Sequence, residues 1–333
     1  MAQSGRGRFE RTPLRESKAL ITVAICTLNR AVSVRRTIES LAAMEVPDNL
    51  PWEVLVVNNN CTDHTDAVIA SFAGRLPIRR EFEPRRGLSN ARNRAVDAAN
   101  GDYIVWTDDD VVVGIGWLLA YAEAFSRWPQ GAVFGGPIIP RYAPPVPKWF
   151  SESEALLRNS VFGGRDFGDE AVPLLAGGRL PFGPNFAVRA AEQRRFRYNP
   201  RLGHAPGQRR RGEELDVLDR ILQSGACGYW VPTARVEHCS DASQQTLRYI
   251  ARYFATVGET SAFLEAGREA RLWFGVPRWM WRQLVEEWVR YQILRLISPP
   301  PVWVRHLRDY AYAWGAIRYY RGSARQQERA MGG

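Results

Sequence analysis

The chain has 333 residues, 45% of them hydrophobic and 24% charged, so it can bury a substantial core and is neither a disordered chain nor a polytopic membrane protein. Lys and Arg number 45 against 35 Asp and Glu, and the net charge of +10 is carried almost wholly by Arg, which favours phosphate-bearing or otherwise anionic partners. No apolar run reaches the roughly 18 residues that a spanning helix needs, and the N-terminus is polar and Arg-rich without a hydrophobic segment. Cys26, Cys61, Cys227 and Cys239 show no CxxC spacing, which argues against a disulfide framework or a zinc site and for a reducing, cytoplasmic setting. A nucleic-acid binder would suit the charge and the run Arg209-Arg210-Arg211. No recognition helix, zinc finger or RNA-binding signature accompanies it, so nucleic acid is not an expected partner.

In chain order, residues 1–17 read as a flexible basic tail. Leu20 to Cys26 and Trp52 to Val57 are apolar runs of strand length with a helical segment from Val32 to Leu41 between them, which is a βαβ unit. A helix over Arg85 to Ala99, a strand over 103–106 and an amphipathic helix over 117–128 continue the alternation. The fold class is therefore α/β, with a mostly parallel sheet covered by helices on both faces. Ligands of such sheets sit beyond the carboxyl ends of the strands, where this chain places Thr27, Asn29 and Arg30, then Asn58 to Asp63, then Asp108-Asp109-Asp110. From 132 to 185 Gly and Pro predict long loops, ending in a turn that enters a strand at Leu180 to Arg189. Gly212 to Leu222 predicts a helix with Glu213, Glu214 and Asp216 in its first turn.

Two further helices are predicted over 278–297 and 302–321, on either side of Ser298-Pro299-Pro300-Pro301. In the first, Trp281, Leu284, Val285, Trp288, Val289 and Ile293 share one face, while Arg282, Gln283, Glu286, Glu287 and Arg290 take the other. In the second, Trp303, Leu307, Tyr310, Trp314 and Ile317 form the apolar face. Two readings suit these helices: a cap packed on the core, or an interfacial membrane anchor at 278–321.

Three consecutive carboxylates at the end of a strand are costly unless a cation neutralises them. Hard divalent ions such as Mg²⁺ are commonly held by one or two carboxylates together with substrate phosphates. A turn or helix cap is the structural alternative for the triplet.

The motifs run in order as Val23-Ala24-Ile25-Cys26-Thr27-Leu28-Asn29-Arg30, Val56-Val57-Asn58-Asn59-Asn60-Cys61-Thr62-Asp63 and Arg86-Gly87-Leu88-Ser89-Asn90-Ala91-Arg92-Asn93. They continue through Thr107-Asp108-Asp109-Asp110, Gly183-Pro184-Asn185-Phe186-Ala187-Val188-Arg189, Gly212-Glu213-Glu214-Leu215-Asp216 and Val231-Pro232 to Val236-Glu237-His238. Over about residues 20–240 this series resembles the family 2 glycosyltransferases, inverting sugar-nucleotide enzymes of GT-A fold. The resemblance implies a GT-A catalytic domain over 18–240, with a donor half to about 140 and an acceptor half after it, followed by a helical region over 241–333. It implies a nucleotide-diphosphate sugar donor, with a UDP-sugar favoured, a glycan or lipid-linked acceptor, and Mg²⁺ or Mn²⁺ as cofactor. Thr27, Asn29, Arg30, Asn58, Asp63, Asn90, Arg92, Asp108 and Asp109 would face the donor, and Asn185 and Trp106 the sugar and acceptor. Asp110, Asp108 and His238 would hold the metal. The catalytic base would be Glu214, with Glu213 and Asp216 as alternatives. Two positions depart from the family: Asn58 stands where Asp is usual, and Glu213-Glu214 replaces the usual Glu-Asp. The chemistry accounts for the same residue types, because charge building on a diphosphate leaving group calls for a cation, and inversion calls for one base on the acceptor side. The protein is expected to serve cell-surface polysaccharide or glycolipid synthesis at the inner face of a membrane. A silent scaffold of the same fold is disfavoured by the intact acids, and a nucleotidyltransferase by the lack of a Gly-rich phosphate loop after Cys26.

Overall fold

The computed structural model describes residues 19–208, 210–265 and 272–331, so the expected 1–17 tail and Arg209 lie outside the described residues. The alternating run predicted from sequence is present as β1 (Ile21–Thr27), α1 (Ala31–Ala42), β2 (Trp52–Asn58), α2 (Thr65–Ala70), β3 (Ile78–Phe82), α3 (Leu88–Ala98) and β4 (Tyr103–Asp108). The pair α2 and β3 had no clear sequence signal, because one is a helix of 6 residues and the other, Ile-Arg-Arg-Glu-Phe, carries charge on both sides of an edge strand. Next come β5 (Val111–Val113), α4 (Trp117–Arg127), β6 (Gly131–Gly135), β7 (Ile138–Tyr142), α5 (Lys148–Glu152) and α6 (Glu154–Leu157). Regular elements thus occupy the first part of a region expected to be loops, and the irregular stretch narrows to 158–185. The chain continues with β8 (Phe186–Arg189), α7 (Ala190–Arg195), α8 (Glu213–Gln223), β9 (Cys227–Trp230), β10 (Val236–Ser240) and α9 (Leu247–Leu264). A two-stranded hairpin of β11 (Leu272–Trp273) and β12 (Val276–Pro277) leads into α10 (Arg278–Ile297) and α11 (Pro300–Met331).

Seven strands form the central sheet in the order β3-β2-β1-β4-β8-β6-β9. All neighbours are parallel except β8, which runs antiparallel to β4 and β6, so the sheet is mostly parallel as expected. Successive side chains of a strand face opposite sides of the sheet. Val23, Ile25, Val54 and Val56 accordingly pack with α1, α2 and α4, while Ala24, Leu55 and Val57 pack with α3 and α8. Both faces are dry, which is why the strands read as continuous apolar runs. A smaller sheet, β5-β10-β7, sits at the end of β4. In it His238 lies opposite Val111, the residue that follows the acidic triplet.

The C-terminal helices do two different things. Helix α9 packs along α11 at a close approach made possible by glycines: a Cβ at Gly258 would run into the Tyr312 carbonyl, and one at Gly315 into that of Ala255. Ile250 and Phe254 join Val304 and Ala311 against Phe150, Leu157 and Phe162, so this helix pair is bound to the 150–162 segment. Helix α10 is oriented otherwise than its pattern suggests. Glu287, assigned to the polar face, is buried and paired with His306 and Arg290. Trp281 and Leu284 pack inward, while Val285, Trp288, Val289 and Ile293 from the same apolar face are exposed.

Candidate active site

The parallel order β2-β1-β4 brings the carboxyl ends of three strands side by side, with Thr27 beside Asn58 and Cys26 beside Asp108. A cleft of about 560 Å³ opens over this rim, bounded by Asp108, Asp109 and Asp110, the start of α8, the loop at Phe182–Pro184 and one face of α9. The loops behind the rim are tied by short polar links. Asn29 takes a left-handed conformation, φ 53°, and its Oδ1 accepts from the Thr62 backbone N at 2.6 Å. Asn tolerates this conformation better than most residues. Asp63 accepts from Ala31 N at 3.1 Å and from Thr65 N and Oγ1, capping the starts of α1 and α2 together. Asn58 donates to Asp66 and accepts from Cys61 N, and Asn90 donates to the Arg86 carbonyl. Thus Asn29, Asn58, Asp63 and Asn90 shape the loops behind the rim, and their side chains are engaged there rather than in the cavity wall. Asn59, which the sequence did not single out, does line the cavity while donating to Glu83 and Arg85 carbonyls and accepting from Gly87 N.

Within the triplet the three carboxylates have different surroundings. Asp109 is buried with both oxygens engaged, one accepting from Thr27 Oγ1 at 2.7 Å and the other 3.0 Å from Arg30 Nη1. Burial lifts its carboxyl to about 7 against the pull of Arg30. Asp110 Oδ2 accepts from Arg30 Nη2 at 2.8 Å, and its buried Oδ1 makes no hydrogen bond but faces His238 Nε2 at 3.2 Å. Although burial opposes ionisation, His238 and Arg30 hold Asp110 well below the usual carboxylate range. His238 lies inside β10 and is fixed by its Nδ1, 2.8 Å from the Phe162 carbonyl; Nδ1 therefore carries the proton in that bond, and Nε2 faces the acids. Such an outer hydrogen bond orients a metal-ligating imidazole. Asp108, Asp110 and His238 offer one ligand atom each within 4.8 Å of one another. Two carboxylates and an imidazole suit a divalent ion such as Mn²⁺, and the orphaned Asp110 Oδ1 is the kind of group an ion would satisfy.

Arg92 is no solvated helix residue. It is 2% exposed, sits 5.5 to 5.6 Å from the ring centroids of Trp106, Phe186 and Tyr198, and lies 3.5 Å from Asp108 and 3.7 Å from Glu213. Its Nε and Nη1 have no hydrogen-bond partner. Trp106, expected near the sugar, is instead part of this buried aromatic cage and donates to Gln193. Asn185, also expected near the acceptor, is fully buried, accepting from Trp117 and Tyr121 and donating to the Pro137 and Ala234 carbonyls. All its amide capacity is spent inside the fold: Trp106 lies within β4 and Asn185 just before β8, where helices cover both faces of the sheet.

At the start of α8, Glu213 is 4% exposed and Glu214 is half-buried in the cavity wall. Burial, then the neighbouring Glu214, pushes Glu213 up to about 7. Asp216 turns away to Arg220, at 2.8 Å, and is not part of the wall. Gly183 marks where the acid rim and the start of α8 approach each other: a Cβ there would lie 3.1 Å from Arg92 Nη2, 3.5 Å from Asp108 Oδ2 and 3.6 Å from Glu214 Oε1. The sequence signal for it was a glycine between Phe182 and Pro184 inside a motif, a place where backbone must approach other groups closely. Arg165 stacks 3.6 Å over the Phe182 ring and donates to Leu180, holding this loop over the cleft.

Residues 22–170 match the family model described as glycosyl transferase family 2. The succinoglycan biosynthesis protein ExoM of Rhizobium meliloti (strain 1021) is 29% identical over 252 residues, covering 74% of this chain and 75% of that protein. Among solved structures, the mannosyltransferase PcManGT from Pyrobaculum calidifontis, in complex with GDP-Man and Mn²⁺, superposes with a TM-score of 0.58 at 16% identity, over 93% of this chain and 90% of that one. GalNAc-T7 with UDP, GalNAc and Mn²⁺ gives a TM-score of 0.51 at 18% identity, over 74% of this chain and 52% of that one. The rim of acids on a mostly parallel sheet and these likenesses agree: the chain is a glycosyltransferase of GT-A fold, similar over residues 22–170 to glycosyl transferase family 2.

Proposed function

We propose that the protein transfers one sugar from a nucleoside diphosphate donor to an acceptor hydroxyl, by single displacement with inversion and with help from a divalent ion. The observation that carries this reading is the convergence of Asp108, Arg92 and Glu214 around Gly183, an acid of the ion cluster facing a cavity carboxylate across space that only a glycine leaves open. Asp108, Asp110 and His238 would hold Mg²⁺ or Mn²⁺, which supplies charge neutralisation to the leaving diphosphate when bound. Arg92 adds a fixed cation from the buried side, preorganised by its aromatic cage. Glu214, the cavity-facing member of the acidic pair, takes the proton from the acceptor hydroxyl, and buried Glu213 stands behind it. Arg30 and Thr27 keep the triplet in place.

ExoM is named for succinoglycan biosynthesis, which supports a role in polysaccharide assembly on a glycan or lipid-linked acceptor. No helix among the described residues is long and apolar enough to cross a membrane. The exposed face of α10, with Trp288, Ile293, Leu296 and Ile297 beside Arg282 and Arg295, supports peripheral contact with an anionic membrane surface. Flotation with anionic liposomes that weakens as salt rises is the expected result; failure to float at any salt would leave these helices as a cap alone.

The donor reading is tested by thermal unfolding with UDP, GDP, CDP and dTDP, each with and without Mn²⁺ or Mg²⁺. A nucleotide at 100 times its dissociation constant adds about 2.7 kcal/mol of stability. UDP is the first expectation. A metal-dependent rise for one nucleotide, lost in Asp110→Asn, is the expected outcome. No rise with any of them would replace the enzyme reading with a silent scaffold.

A further inference from the structure

The acceptor side of the cleft is walled by a helix outside the segment that matches the family. Tyr249, Tyr253, Val257, Thr260 and Ser261 of α9 recur at helical spacing and face the cavity. Arg211 lies against this wall. Its backbone N donates to Thr260 Oγ1 at 3.0 Å, its guanidinium sits 4.5 Å from the Tyr253 ring centroid, and its Nε is buried without a hydrogen-bond partner. Tyr253 is itself fixed, its hydroxyl donating to the Ser160 carbonyl at 2.6 Å. Other cations of the cavity are committed: Arg30 to Asp109 and Asp110, Arg92 to Asp108 and Glu213, His238 to Asp110. Among the described residues Arg211 has no carboxylate partner, and Glu214 and Tyr253 line the same cavity. Val161, Phe162, Leu215 and Val257 add apolar surface to the same cavity.

We infer that Arg211 and the α9 wall form a subsite for a phosphoryl group carried by the acceptor, seating it beside Tyr253 while the acceptor hydroxyl reaches Glu214. A guanidinium fork pairs with phosphate oxygens through two parallel hydrogen bonds, and the apolar lining suits the first carbons of a hydrocarbon chain joined to that phosphate. The inference rests on the glycosyltransferase reading and adds the chemical class of acceptor.

The test uses the full chain saturated with Mn²⁺ and the nucleoside diphosphate found in the thermal screen, so that the donor side is filled. Calorimetric titration with decyl phosphate, decanol, glucose 1-phosphate and glucuronate then reads the acceptor side. Decyl phosphate is expected to bind the native protein and to bind Arg211→Gln at least tenfold more weakly, with Arg211→Lys between them, while nucleotide binding changes less than twofold. Tighter binding of decyl phosphate than of glucose 1-phosphate assigns the phosphate to a lipid carrier; the reverse order assigns it to a soluble phosphorylated glycan. The inference is overturned if decyl phosphate binds the variants as it binds the native protein, if it binds no better than decanol, or if glucuronate alone shows the dependence on Arg211. Should Arg211→Gln fail to fold, Arg211→Lys with unchanged decyl phosphate affinity overturns it equally. Failure of the native protein to bind any nucleotide with metal would sink the donor reading instead, a separate result.

Discussion

At the start of β2 the carboxylate of Glu53 accepts from Thr22 Oγ1 at 2.7 Å, Arg79 Nε at 2.8 Å, and the backbone and side chain of Asn100, both at 3.0 Å. At the other end of the same sheet, Asp108, Asp109, Asp110, Glu213 and Glu214 crowd one cleft, with Asp110 Oδ1 and two Arg92 nitrogens lacking hydrogen bonds. Glu53 ties β1, β2, β3 and the loop before β4 together, and its every lone pair direction has a donor. The crowded end is polar chemistry left unsatisfied by the fold. Groups held that way cost stability and gain meaning from what binds them. The comparison separates a carboxylate that builds the scaffold from carboxylates that the scaffold holds ready.

The largest expected effect sharpens that division. Glu214→Gln should lower kcat by about 10²- to 10⁴-fold, the usual contribution of a positioned general base, while the melting temperature and metal-dependent nucleotide binding stay near native. Full activity in that variant would remove Glu214 from the chemistry. Gly183→Ala places a methyl group among Arg92, Asp108 and Glu214. Steady-state kinetics should show a loss of about 100-fold from misplacement alone, again with little change in unfolding.

The scaffold end should behave in reverse. Burial tends to raise the Glu53 carboxyl, but hydrogen bonds from Arg79, Thr22 and Asn100 outweigh it and hold the group at about 2 rather than 4.5. A folded value below the unfolded one means stability that is present above pH 4.5 and is lost as pH falls toward 2. Glu53→Gln should therefore cost about 2 kcal/mol at pH 7, and the gap to the native protein should close across that window in urea titrations. A constant gap at all pH values would show that the packing of the side chain, not its charge, holds the sheet. Smallest is Gly258→Ala, where overpacking against the Tyr312 carbonyl should cost about 1–2 kcal/mol net of the better helix propensity of Ala. Because α9 walls the side of the cleft proposed for the acceptor, the same variant should raise the KM for acceptor more than that for donor.

The linear sequence by itself determined the βαβ alternation, because strands buried on both faces must be continuously apolar, as in Ile21 to Ile25 and Val54 to Val57. It also determined that Asp108 to Asp110, Arg30 and Glu213-Glu214 lie near strand ends and a helix start, since polar clusters next to apolar runs mark those boundaries. Pairing in space was decided only by tertiary structure. His238 meets Asp110 because β10 pairs with β5 in one register, and nothing local to residue 238 specifies that register. Trp106, in β4, and Asn185, just before the neighbouring β8, proved interior because Arg92 and Tyr198 close over the one and Trp117 and Tyr121 over the other. Helix α10 shows the same limit from the other side: its periodicity named an apolar face, but the buried Glu287, paired across to His306, set which side faces α11. Periodicity reports that a face exists; which face is covered depends on partners distant in sequence, and Arg211 gains its place at the cleft only because α9 folds back over it.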